Sequence, residues 1–128
     1  MKKIAATIAV LFLVGANAPQ ALSAGNAMTA AQLDTLLKDG ATITLGGKGE
    51  GYRGTLVLLK DGTAKGSAKT DQGNEIKIEG IWNIKGDKFC RTWKGMDKGK
   101  EVCETWRMRS SKEAEVYVGK KRAGLNSW

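Results

Sequence analysis

From Ala41 to the C-terminus the chain is divided into short runs of alternating apolar and polar residues, each ended by Gly, Asp or Asn, with no helical period. This pattern constrains the fold more than any other feature, because successive strands separated by turn residues pair as antiparallel hairpins. About eight strands are expected: Thr42 to Leu45, Gly54 to Lys60, Thr63 to Thr70, Glu75 to Ile84, Phe89 to Lys94, Lys100 to Arg109, Ala114 to Val118 and Arg122 to Ser127. Asp61-Gly62 reads as a two-residue hairpin turn, Asp71 to Asn74 and Lys85 to Lys88 as further turns, and Gly80 as a bulge.

A mainly β fold follows, either an antiparallel meander or a small lipocalin-like barrel, since eight hairpin-linked strands suffice to close and closure removes the edges. One helix precedes the strands. In Met28 to Gly40, Thr29 can cap, Gln32 completes a capping box, Leu33, Leu36 and Leu37 share a face, and Gly40 supplies a left-handed stop. The helix, 29 to 39, is expected to lay its leucines on the core and cover one mouth or flank.

The residues ahead of it read as an export signal. Lys2 and Lys3 precede an uncharged apolar run, Ile4 to Ala16, that is too short to span a bilayer, and small residues follow. Cleavage is expected after Ala24, with Ala27 as the alternative; no cysteine follows the run to accept a lipid. The expected division is a signal peptide over 1–24 and a single β domain over 25–128, with no transmembrane span after processing and a periplasmic or secreted destination.

A domain of this size has a modest core, and a staple is expected. Cys90 and Cys103 are the only cysteines, and an oxidising compartment favours their disulfide, which would stabilise the fold by about 3 kcal/mol. If the turn centres on Gly95 to Lys98, Cys90 falls opposite Cys103, Arg91 opposite Val102, Thr92 opposite Glu101 and Trp93 opposite Lys100. Phe89, Trp93, Val102, Trp106 and Met108 then share one face, and Cys90, Thr92, Cys103, Thr105 and Arg107 the other. The aromatic face lines the core in the simplest reading. In the alternative, Trp93 and Trp106 flank Arg91 at a barrel mouth and hold an anionic amphiphile.

Charge points the same way. The formal net charge is +8; residues 1–24 carry two lysines and no acid, and residues 25–84 hold seven basic and seven acidic side chains. The surplus therefore lies in residues 85–128, with twelve basic and six acidic side chains, including Arg107 and the run Lys120-Lys121-Arg122. Ordinary solubility accounts for such lysines, and so does a polyanionic partner; outside the cytoplasm that partner would be anionic lipid, lipopolysaccharide or another envelope component rather than nucleic acid.

Histidine is absent, which removes the usual general base, the usual zinc ligand and every imidazole-dependent triad. The cysteines are not spaced as a metal knuckle, and Glu113 and Glu115 read as solvated. Gly46 to Gly51 superficially suggests a phosphate loop, but a strand follows it where a nucleotide site needs a helix. Asp71 to Glu75 lacks calcium-loop spacing. Neither enzymatic activity nor a metal or other cofactor is expected.

Gly80-Ile81-Trp82-Asn83-Ile84-Lys85-Gly86-Asp87-Lys88-Phe89-Cys90-Arg91-Thr92-Trp93, followed by Cys103, resembles a group of small exported proteobacterial proteins of unknown function, the DUF995-like proteins. The capped helix and the Asp61-Gly62-Thr63 turn fit as well. The resemblance implies a periplasmic or secreted β domain and brings no catalytic residues; the Lys-rich third strand and Lys120-Lys121-Arg122 depart from it. The leading expectation is a non-enzymatic envelope protein binding an anionic or amphiphilic partner through its basic C-terminal half. The alternatives are a secreted protein inhibitor and a purely structural or stress-related periplasmic protein. Oligomeric state, and whether Trp128 locks the last strand or is exposed as an anchor, are left open by the sequence.

Overall fold

The structure, a computed structural model, describes residues 25–128; the expected signal segment, 1–24, lies outside the described residues. Helix α1 (Ala30–Leu37) is followed by strands β1 (Ala41–Gly46), β2 (Tyr52–Leu58), β3 (Thr63–Thr70), β4 (Glu75–Lys85), β5 (Lys88–Trp93), β6 (Val102–Ser110), β7 (Glu113–Val118) and β8 (Lys121–Ser127). Each strand pairs antiparallel with its sequence neighbours, and β8 returns to β1, so the sheet is a closed eight-stranded barrel. The β1–β8 seam is short: only Thr44 faces Ser127 and Leu45 faces Asn126.

Thr29 accepts from the Gln32 amide while Gln32 Oε1 accepts from the Thr29 amide, the expected capping box. A second N-terminal donor, Ala30 N–H, goes to Asp87 Oδ1 in the β4–β5 turn, so the helix is tied to one end of the barrel. Leu33 and Leu37 are fully buried there with Ile43, Leu58, Phe89, Trp106 and Met108. At this end Trp82 donates Nε1–H to the Leu59 and Thr63 carbonyls, and Trp128 stacks on Trp106 with centroids 6.2 Å apart. Trp128 is half-buried, and its amide donates to the Lys112 carbonyl, which locks the end of β8.

Residues 25–28 complete the wall. The β5–β6 ladder holds only Phe89/Glu104, Cys90/Cys103 and Arg91/Val102, and β6 continues beyond the start of β5. Into that gap runs the N-terminal segment: Gly25 N–H donates to Met108 O, Met108 N–H to Asn26 O and Met28 N–H to Trp106 O. Ala27 bridges Arg107, whose guanidinium donates to the Gly25 carbonyl.

Three local expectations are corrected. The β2–β3 hairpin is not a two-residue turn: Leu59 N–H donates to Thr63 O, leaving Lys60, Asp61 and Gly62 as the loop. Gly62 takes φ +90°, and Asp61 Oδ1 accepts from both Thr63 N–H and Thr63 Oγ1–H, so this sequence suits a three-residue loop with a left-handed last position. Gly80 is not a bulge; it stays in register with Ala64 and Trp93. A Cβ there would strike the Thr92 carbonyl and lie 2.9 Å from the Trp93 ring, so the glycine makes room for that indole. The bulges instead lie between Met108 and Ser110, and between Val116 and Tyr117. Finally, the β5–β6 pairing stops at Arg91/Val102 rather than continuing to Trp93/Lys100, because Lys94 N–H turns away to the Glu79 carbonyl and Asp97–Gly99 form a 3-10 turn.

Candidate functional site

The register of the cysteine hairpin is as the sequence predicts, with Cys90 opposite Cys103, and the two form a disulfide on the outer face. The inner face carries Phe89, Trp93, Trp106 and Met108, all buried, and Val102, half-buried. Parity puts two charged residues on that face as well. Arg91 and Glu104 project into the barrel, their side chains 14% and 11% exposed, and Arg91 Nε donates to Glu104 Oε2 at 2.8 Å. Glu104 Oε1 accepts from Trp106 Nε1 at 3.0 Å, and Arg91 Nη1 donates to Asp97 Oδ2 at 2.6 Å. Arg91 also sits 5.7 Å from the Trp93 ring centroid.

These groups border a cavity of about 140 Å³ in the half of the barrel away from α1. Apolar walls come from Leu45, Leu56, Ile78, Phe89, Trp93 and Val116, and polar groups from Arg91, Glu104, Tyr52 and Asn126. Tyr52 fills the space where β1 and β8 diverge: its hydroxyl accepts from Leu125 N–H at 3.0 Å, and a Cβ on Gly124 would fall on that oxygen. Burial raises the Tyr52 pKa, the Leu125 amide opposing it, so the phenol keeps its proton at neutral pH.

The residues singled out in the sequence do not form one cluster. Arg91 and Trp93 meet at the cavity. Trp106 is not at the mouth; it is fully buried behind Glu104, 4.9 Å from the Phe89 centroid. Arg107 lies on the outer wall over Tyr117. Arg122 is a clasp across the seam, donating to both carboxylate oxygens of Glu50 in the β1–β2 loop and to Glu115 on β7, and these partners raise its pKa. Lys120 in the β7–β8 turn and Lys121, the first residue of β8, are exposed at the same end of the barrel as the cavity.

That end is electrostatically distinct. The connections there carry Lys48, Lys94, Lys98, Lys100 and Lys120, with Lys121 opening β8 beside them; of these only Lys94 has an ion-pair partner among the described residues, Glu79. Of the acids there, Glu50, Asp97 and Glu101 are paired, leaving Asp71. The connections at the helix end balance Lys38, Lys60 and Lys112 against Asp39, Asp61 and Asp87. Sequence reasoning missed Lys48 and the internal Arg91–Glu104 pair. The pair could have been found from parity, since 91 lies between two inward aromatics and 104 between Val102 and Trp106.

No family model, curated protein or solved structure matches this chain. The class defined by the coordinates is a disulfide-bonded, closed antiparallel β-barrel capped by one helix.

Proposed function

We propose that this is an exported, non-enzymatic barrel protein that engages an anionic amphiphilic surface or molecule through the lysine-bearing end. The observation that carries the reading is the segregation of charge: Lys48, Lys98, Lys100, Lys120 and Lys121 lack ion-pair partners among the described residues and share one end. Arg91 is not the anion receptor, because Glu104 and Asp97 already neutralise it. The disulfide and the resemblance to exported DUF995-like proteins support the compartment, and the absence of histidine supports a binding role.

The test is co-sedimentation of the processed protein with phosphatidylglycerol or phosphatidylcholine vesicles at about 0.01 M and about 0.15 M salt, where the screening length falls from about 30 to 8 Å. Binding to the anionic vesicles alone, weakened by salt and abolished in K98Q/K100Q/K120Q/K121Q, is expected. Absence of binding at low salt, or equal binding by the quadruple variant, refutes the reading.

A further inference from the structure

The cavity beside Arg91 is bordered by polar groups whose hydrogen-bonding capacity the described residues do not fully use, none of them sealed from solvent. Asn126 is 6% exposed, and its side-chain amide, which borders the cavity within reach of water, has no hydrogen-bond partner among the described residues. An amide placed in this way is satisfied by water entering the cavity or by a ligand that replaces that water. Two donors join it: among the described residues the Tyr52 hydroxyl accepts from Leu125 N–H but donates to no group, and Arg91 Nη2 has no acceptor. Apart from Glu104 the remaining walls are apolar and aromatic, so a molecule with an apolar body displaces water from the surfaces that hold it least.

We propose that the cavity is a binding site for a compact, uncharged group bearing a carboxamide on a ring or short apolar body. A carboxamide presents donor and acceptor together and pairs with the Asn126 amide whichever way that amide is turned. Tyr52 O–H and Arg91 Nη2 can both donate to its carbonyl oxygen, while Leu45, Leu56, Ile78, Phe89 and Trp93 receive the apolar part. Size fits: a dry cavity of about 150 Å³ accommodates benzene. Charge selects against a carboxylate, because Arg91 is matched by Glu104 and Asp97 and the local balance is one negative. This inference does not rest on the lysine end and stands or falls separately from it.

The probe is benzamide, compared with benzoate and toluene, titrated into the processed protein and followed by amide chemical shifts. Benzamide is expected to shift the Asn126 side chain and the amides of Tyr52, Arg91 and Leu125, with toluene binding more weakly and benzoate not at all. Asn126→Leu, which keeps volume and removes hydrogen bonding, should weaken benzamide about tenfold and spare toluene. Should that variant not fold, Y52F is expected to weaken benzamide severalfold by the same readout. The inference is overturned if the wild-type site does not respond to benzamide, or if benzoate or toluene binds as well as benzamide. Shifts confined to the groove between Met28, Leu36 and Trp128 at the helix end overturn it too.

Discussion

The Arg91–Glu104 pair inside the barrel predicts an asymmetric double-mutant cycle. Among the described residues Glu104 has no cationic partner other than Arg91, so R91M leaves its carboxylate enclosed with only the Trp106 N–H. Breaking a buried pair from one side costs about 3 to 5 kcal/mol. The surviving indole bond and the open mouth place R91M near the lower figure, about 3 kcal/mol, or about 12 °C in Tm for a domain of about 100 residues. E104Q is milder: the amide oxygen still accepts from Trp106, and Arg91 keeps Asp97 and lies closer to solvent, so about 1 to 1.5 kcal/mol is expected. In R91M/E104Q no charge is stranded, and the double variant should be more stable than R91M alone, against simple addition. Urea unfolding followed by far-UV circular dichroism at pH 7 measures all four corners. A loss below about 1 kcal/mol for R91M, or a double variant no more stable than R91M, would refute the argument that the pair is interdependent.

Other consequences are open to direct measurement. Cys90 and Cys103 are 13 positions apart, and C90A/C103A should lose about 3 kcal/mol by the chain-entropy account; a thermal melt within about 4 °C of wild type would contradict it. Gly124→Ala should destabilise by about 1 to 3 kcal/mol because its Cβ meets the Tyr52 hydroxyl, and Y52F in the same chain should recover part of the loss; additive effects in urea unfolding would sink that contact. Since the folded-state pKa of Tyr52 lies above its unfolded value of 10.0, its contribution to stability is complete below pH 10 and is lost as pH rises through the folded value. The wild-type urea midpoint should therefore fall more steeply than that of Y52F as pH rises above 10, and parallel curves would exclude the effect. The pairing of Gly25 to Met28 with β6 predicts that the processed chain begins at Gly25, because a start at Met28 would delete the Gly25 and Asn26 bonds to Met108. Intact mass of the exported protein decides between them.

Much of the fold was legible because two strong periodic signals agreed. The period-2 runs specified the strands, and a single pair of cysteines could be brought opposite one another in only one register of β5 and β6. The helix was equally readable, since Thr29, Gln32, the leucines and Gly40 all speak locally. What escaped depends on contacts distant in sequence. A glycine inside a strand signals either a kink or a neighbour's need for space, and Gly80 is explained only by the Trp93 ring on the next strand. Gly25 to Met28 have no pattern of their own; they enter the sheet because β6 extends past β5. The site was hardest to see. Arg91 could be set at a barrel mouth, but its partner Glu104 reads as surface until parity is followed strictly, and the cavity arises from the size of inward residues on many strands at once.

The seam between β1 and β8 also bears on when the molecule can exist as such. Thr44 and Leu45 find their partners, Ser127 and Asn126, in the last few residues of the polypeptide. A nascent chain lacking those residues can form hairpins but has no closing strand, and Glu50 lacks the Arg122 that clasps the seam. Closure of this kind is a late, long-range event. Until those residues are available, both edges of the sheet stay unpaired and the barrel has no closed form to adopt.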